Sequence, residues 1–269
     1  LERERMMISR TNTVATRMSE YIKAVMGLLL LGTLAVGLCA ALLSNIQTWC
    51  LETPLQGRVR FVPPLMALAF ALMLAFSQSM WSQAVIAEVY ALHALLIALF
   101  LLICYAWVRN PANDSLMFAA FFLLALSFSN HQLTMSLGAL PYLLIILLRR
   151  RCFLDWMFAG LLTLLLGYLG FAILSRDPAV LKTALRFFYC VVLALAVFAW
   201  MRKFRIRWRL IAFLPLAVAL GLLPHAYMPL ASATNPPMNW GYAREPEGFF
   251  FSINRSQYPG SLSEMTVKS

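Results

Sequence analysis

The sequence predicts an all-α fold, a polytopic bundle of about eight transmembrane helices. Two observations carry that reading. Of 269 residues, 62% are hydrophobic and only 12% charged, whereas soluble domains are about half apolar and about a quarter charged. The charges also gather in short runs between long apolar stretches, the pattern expected when hydrocarbon is the solvent for most of the chain.

A hydrocarbon core about 30 Å thick takes about 20 helical residues. Spans are expected at about 24–45, 62–80, 84–107, 116–129, 133–148, 154–174, 184–201 and 209–230. A single helix over 116–148 would be about 50 Å long, too long for one crossing. The polar break at 127–132 therefore divides it into a hairpin of two short spans. The domain reading is a polar juxtamembrane segment over 1–23, a helix bundle over 24–230, and a Pro/Asn/Gly-rich extracytoplasmic region over 231–269.

The net charge of +11 comes mostly from basic residues beside apolar spans. That placement points to membrane lipids as partners, with no nucleic acid. Arg202, Lys203, Arg205, Arg207 and Arg209 mark the cytoplasmic side most strongly. Arg149, Arg150 and Arg151, together with Arg109, Arg58 and Arg60, join them there. The opposite side receives 77–83, 127–132, 175–183 and the residues after 230. Eight spans put the N-terminus on that outer side too, although it carries Arg3, Arg5, Arg10, Arg17 and Lys23. Either one span is miscounted, or the chain is a fragment and these residues end a translocated loop. The second reading is preferred.

Cys39, Cys50, Cys104, Cys152 and Cys190 form no CxxC pair and read as small apolar residues. The histidines His93, His131 and His225 lack zinc-site spacing, so no metal site is expected; whether a divalent ion takes part is left open. There is no Walker motif or dinucleotide fingerprint, and no cofactor is implied.

Candidate chemistry begins at Glu88, the one acid within an apolar span. A carboxylate in hydrocarbon costs about 2.5–3.5 kcal/mol on insertion scales, so it normally faces a cavity or partner. On a helical wheel Gln83, Tyr90 and His93 share one side, with Trp81 and Glu88 opposite. A helix polar on two faces belongs inside a bundle, where Glu88 either serves a cavity or pairs with a neighbouring helix. Breaks at 77–83 and 127–132 meet the loop after 230 on one face, which suggests an outward-facing pocket. Arg176, Lys182, Arg186, Arg244 and Arg255 lie on that outer side. Arg176, Arg244 and Arg255 are phosphate-binding candidates, because a guanidinium matches phosphate oxygens with paired hydrogen bonds.

Three segments taken together resemble a known family. They are Trp81-Ser82-Gln83-Ala84-Val85-Ile86-Ala87-Glu88-Val89-Tyr90-Ala91-Leu92-His93, then Ser129-Asn130-His131, then Ala233-Thr234-Asn235-Pro236-Pro237-Met238-Asn239-Trp240-Gly241. The family is a bacterial multi-spanning one with a domain of unknown function, and its animal relatives are transmembrane protein O-mannosyltransferases of the GT-C type. The resemblance implies a GT-C-like fold in a bacterial inner membrane. It also implies transfer of a sugar, mannose among the candidates, from a polyprenyl-phosphate donor to a protein acceptor outside the cytoplasm. Trp81, Gln83, Tyr90, His93, Asn130, His131, Asn235, Asn239 and Trp240 would line the substrate cavity, with Glu88 as its carboxylate. The family's main catalytic carboxylate lies in the first outer loop, which has no counterpart before residue 24. Glu88 is therefore expected to orient substrate more than to act as the base. Two other classes remain: a transporter or flippase for a lipid-linked or polar substrate, which would use the same intramembrane acid and helix breaks, and a non-catalytic membrane scaffold.

Overall fold

The computed structural model describes residues 30, 32–47, 57–78, 80, 90–201, 207–236 and 239–253. Every regular element among them is helical. Four stretches are long and apolar enough to cross a membrane: Tyr90–Arg109, Arg150–Leu174, Pro178–Val197 and Trp208–Ala233. Four shorter apolar helices accompany them, at Gly32–Gln47, Val59–Ala75, Asp114–Asn130 and Ser136–Leu148. The chain divides into two compact units.

The first unit comprises Leu1–Leu116 and Asn130–Met135. It contains α1 (Gly32–Gln47), α2 (Val62–Ala75), α3 (Tyr90–Arg109) and the first turn of α4 (Asp114–Asn130). On α2, Pro63, Ala67 and Ala71 repeat every four residues and are buried, while Leu65, Met66, Phe70 and Met73 are exposed. Small residues inward and large apolar ones outward suit a helix whose outer solvent is lipid. In α3 the bulky residues Phe100 and Trp107 are buried. Tyr105 donates its hydroxyl to the Asn45 carbonyl at 3.0 Å and accepts from Arg109 at 3.1 Å. That chain ties α3 to α1.

The second unit comprises Met117–Ser129 and Ser136–Ser269. Its helices are the rest of α4, then α5 (Ala139–Leu148), α6 (Phe153–Leu174), α7 (Pro178–Met201), α8 (Trp208–Leu222), α9 (Tyr227–Ala233) and α10 (Pro246–Ile253). Rings knit four of them together. Trp156 of α6 is wholly buried and meets Phe118 and Phe121 of α4 at 5.4 and 6.0 Å. Phe121 meets Tyr142 of α5 edge-on at 5.4 Å, and Phe118 meets Phe213 of α8 at 5.8 Å.

The expected hairpin is present in this unit. Phe121 faces Tyr142, and Gly138 comes within 4.0 Å of Leu124 for an added Cβ, so the two segments run antiparallel about a centre near residue 131. The break falls later than expected, however. Helix α4 continues through Ser127 and Ser129 to Asn130. A serine in a helix can return its hydroxyl to the carbonyl four residues back, and Ser129 does so to Ala125 at 3.3 Å. The second limb also opens as a 3-10 turn over Gln132–Gly138 before becoming α-helical.

Close approach of α5 and α6 depends on Gly160, because the Tyr142 hydroxyl fills the place of its missing Cβ. A three-residue turn reverses α6 into α7, with Arg176 left-handed at φ 56. The Asp177 carboxylate accepts the Ala179 amide at 2.8 Å and caps α7. Beyond Leu222, a 3-10 turn over Leu223–Ala226 joins α8 to α9.

Candidate functional site

In the first unit, Tyr90 and His93 lie three positions apart on α3 and so share a face. Both meet the imidazole of His131. The ring centroids lie 4.9 Å apart for His93 and 5.8 Å for Tyr90, with planes tilted by 44° and 45°. The backbone of His131 is fixed by Thr134, which is buried. Its amide and hydroxyl both donate to the His131 carbonyl, at 3.3 and 2.9 Å. His93 Nδ1 is buried with no hydrogen-bond partner among the described residues. Two half-buried imidazoles and an exposed phenol thus form one surface with flat faces and hydrogen-bonding atoms. The wheel grouping of Tyr90 with His93 holds. Trp81, Gln83 and Glu88 lie outside the described residues.

In the second unit, the Asn-Pro-Pro segment is organised around Ser232 of α9, which is buried. The Ser232 hydroxyl donates to Asn239 Oδ1 at 2.7 Å and accepts the Arg244 amide at 3.1 Å. Asn239 Nδ2 returns a bond to the Ser232 carbonyl at 3.2 Å. Asn235, left-handed at φ 48, accepts from the Arg244 guanidinium at 2.6 Å. Asn235, Asn239 and Arg244 are therefore gathered in one network. The guanidinium keeps further donors for an anion, and Arg244 is exposed.

Glycines complete that segment. Gly241 sits at φ 68, where its lack of a Cβ avoids Ser252. A Cβ at Gly248 would strike the carbonyls of Gly241 and Tyr242. Helix α10 can fold back here because backbone meets backbone. Phe250 then packs on Phe171 of α6 at 4.5 Å. Only the backbone of Trp240 is described, in the 3-10 turn Trp240–Tyr242. Arg255 lies outside the described residues, and Arg176 is exposed at the α6–α7 turn.

Sequence reasoning missed a polar junction between α4 and α8. Gly221 lets α8 touch the backbone of α4, with an added Cβ only 2.7 Å from Ala125 Cβ and 2.9 Å from the Leu126 nitrogen. Ser129 Oγ lies 3.1 Å from the Gly221 carbonyl and 2.9 Å from His225 Nδ1. The Leu222 carbonyl is 3.3 Å from the same nitrogen, and the direction of the Ser129–His225 bond follows whichever ring nitrogen carries the proton. His225 itself sits in the 3-10 turn that follows α8, so no regular helical spacing announced the pairing. Among the described residues, no three His, Cys, Asp or Glu side chains are grouped to hold a metal.

Comparison with protein families is decisive. The profile described as Protein O-mannosyl-transferase TMEM260 N-terminal domain matches residues 6–154, more than half of the chain. The chain belongs to this family. Tyr90, His93, Asn130 and His131 all fall inside the TMEM260 match, as do the positions of Trp81, Gln83 and Glu88. The Asn-Pro-Pro network and His225 lie beyond it. The expected kinship with animal transmembrane O-mannosyltransferases is thereby established. Neither the curated proteins nor the solved structures yield a match.

Proposed function

We propose that this TMEM260-family protein is a membrane glycosyltransferase of GT-C type. It moves a sugar, mannose by family, from a polyprenyl-phosphate donor to a protein acceptor on the extracytoplasmic side of a plasma membrane. The observation that carries the reading is the family match over 6–154, which spans the histidine–tyrosine surface of α3 and the turn after α4. The apolar helices support residence in a membrane, and eight crossings are the proposed count.

The division of labour follows from side-chain chemistry. The imidazoles of His93 and His131, with the phenol of Tyr90, present hydrogen-bonding and aromatic faces suited to a sugar. Glu88 serves as the carboxylate that orients substrate. At the Asn-Pro-Pro loop, the donors that Arg244 does not spend on Asn235 suit a phosphate.

The test is transfer of labelled mannose from polyprenyl phosphate to acceptor peptide, in membranes carrying the full-length protein. Glu88→Gln and His131→Ala should each reduce transfer by roughly a hundredfold, the scale of a substrate held out of line. Full transfer by both variants would remove these residues from the site. Absence of transfer by the unaltered full-length protein, with any polyprenyl-phosphate hexose, would overturn the activity itself.

A further inference from the structure

Helix α7 carries an ordered chemical gradient on the face turned away from its neighbours. Lys182, Arg186, Tyr189, Leu193 and Val197 follow at spacings of four, three, four and four, so they form one stripe. All five are exposed, Tyr189 to 67%. Most of this helix is exposed, and its closest packing is on the opposite side, where Ala184 is wholly buried. Phe187, itself half exposed, meets Tyr168 of α6 at 6.2 Å on the flank. Asp177, the acid nearest in sequence, falls about 140° from Lys182 on the wheel and is engaged in capping the helix.

Read from the N-terminal end, the stripe goes from two cations to a phenol to aliphatic side chains. Lys182 and Arg186 are one turn apart, about 6 Å along the axis, and the whole stripe spans about 22 Å. That order mirrors a lipid: charged head group, polar interface, acyl chain. Lys and Arg at a helix end extend their charges to head-group level, and tyrosine favours the layer below. The two cations select negative charge, since the stripe contains no acid.

We propose that this face of α7 is a binding site for one anionic phospholipid. Lys182 and Arg186 hold its phosphate, Tyr189 donates to the glycerol-ester region, and Leu193 and Val197 bed one acyl chain. The proposal rests on membrane residence and is independent of glycosyl transfer.

The experiment is native mass spectrometry of the full-length protein released from detergent with equal phosphatidylglycerol and phosphatidylcholine. The unaltered protein should retain phosphatidylglycerol with roughly tenfold preference or more, the scale of two basic side chains at an anionic surface. Lys182→Gln with Arg186→Gln should abolish the preference, and Lys182→Arg should keep it. Tyr189→Ala should weaken retention with the charge unchanged. Arg150→Gln with Arg151→Gln, the same charge loss elsewhere, should leave the preference intact. The proposal fails if that control pair lowers it equally, or if the unaltered protein shows none. It also fails if equimolar polyprenyl phosphate displaces the phospholipid, which would assign the stripe to the donor lipid.

Discussion

A single missing methyl governs how α4 and α8 meet. At Gly221 an added Cβ would lie 2.5 Å from the Phe122 carbonyl oxygen and 2.7 Å from Ala125 Cβ, both of them parts that cannot swing aside. Gly221→Ala should therefore destabilise the protein by about 1–3 kcal/mol, the cost of overpacking a filled interior. Gly37→Ala is the comparison, because nothing lies within 4 Å of its added Cβ. There the better helix former should be neutral or slightly favourable. Unfolding midpoints in mild detergent distinguish the two, and equal losses would remove the steric argument. Ser129 works at the same place by a gentler force. Interhelical hydrogen bonds in membranes average about 0.6 kcal/mol, so the Ser129–His225 contact at 2.9 Å orients the junction more than it stabilises it.

The element with the most to explain is the segment after α9. Prolines and asparagines predicted a turn there, and the structure adds its reason: the Ser232 hydroxyl and Asn239 side chain close the turn, and Arg244 clasps Asn235. Gly241→Ala would combine a left-handed backbone with a collision at Ser252. It should release α10 and speed protease cleavage over 236–245 severalfold, while leaving α6 and α8 protected. Unchanged cleavage would mean that α10 is held by Phe250 alone. The motif residues were legible one by one, since Asn, Pro and Gly announce turns through their own backbone preferences. Ser232 was not, because a lone serine carries no pattern until its partners are placed. The hairpin was legible from length alone. Its exact turning point was not, because composition alone does not say where the α-helix gives way to the 3-10 turn over Gln132–Gly138.

For the molecule as a whole, apolar length carried most of what the sequence revealed of its helices. Spans expected at 154–174 and 184–201 correspond to α6 and α7 over Phe153–Leu174 and Pro178–Met201. Which helices touch was not readable, because in lipid the contacts depend on small residues and single hydroxyls, not on an amphipathic stripe. The proposed eight crossings make a labelling pattern. In a background free of native cysteines, Asn113→Cys should react from the cytoplasmic side, and Ser175→Cys and Thr234→Cys from the other. A common side for all three would reduce the count. The aromatic knot of Phe118, Phe121, Tyr142, Trp156 and Phe213 joins four helices of the second unit.

The meeting of Gly241 with Gly248 has a consequence for how such a tail can diverge. Two stretches of peptide lie against each other there with no side chain between them, so the joint is indifferent to hydrophobicity and intolerant of bulk. The three phenylalanines of α10 could be exchanged for other oily residues and the tail would still dock. The two glycines could drift only together with a rerouted main chain, which makes them the fixed pivot around which the rest of the tail is free to vary.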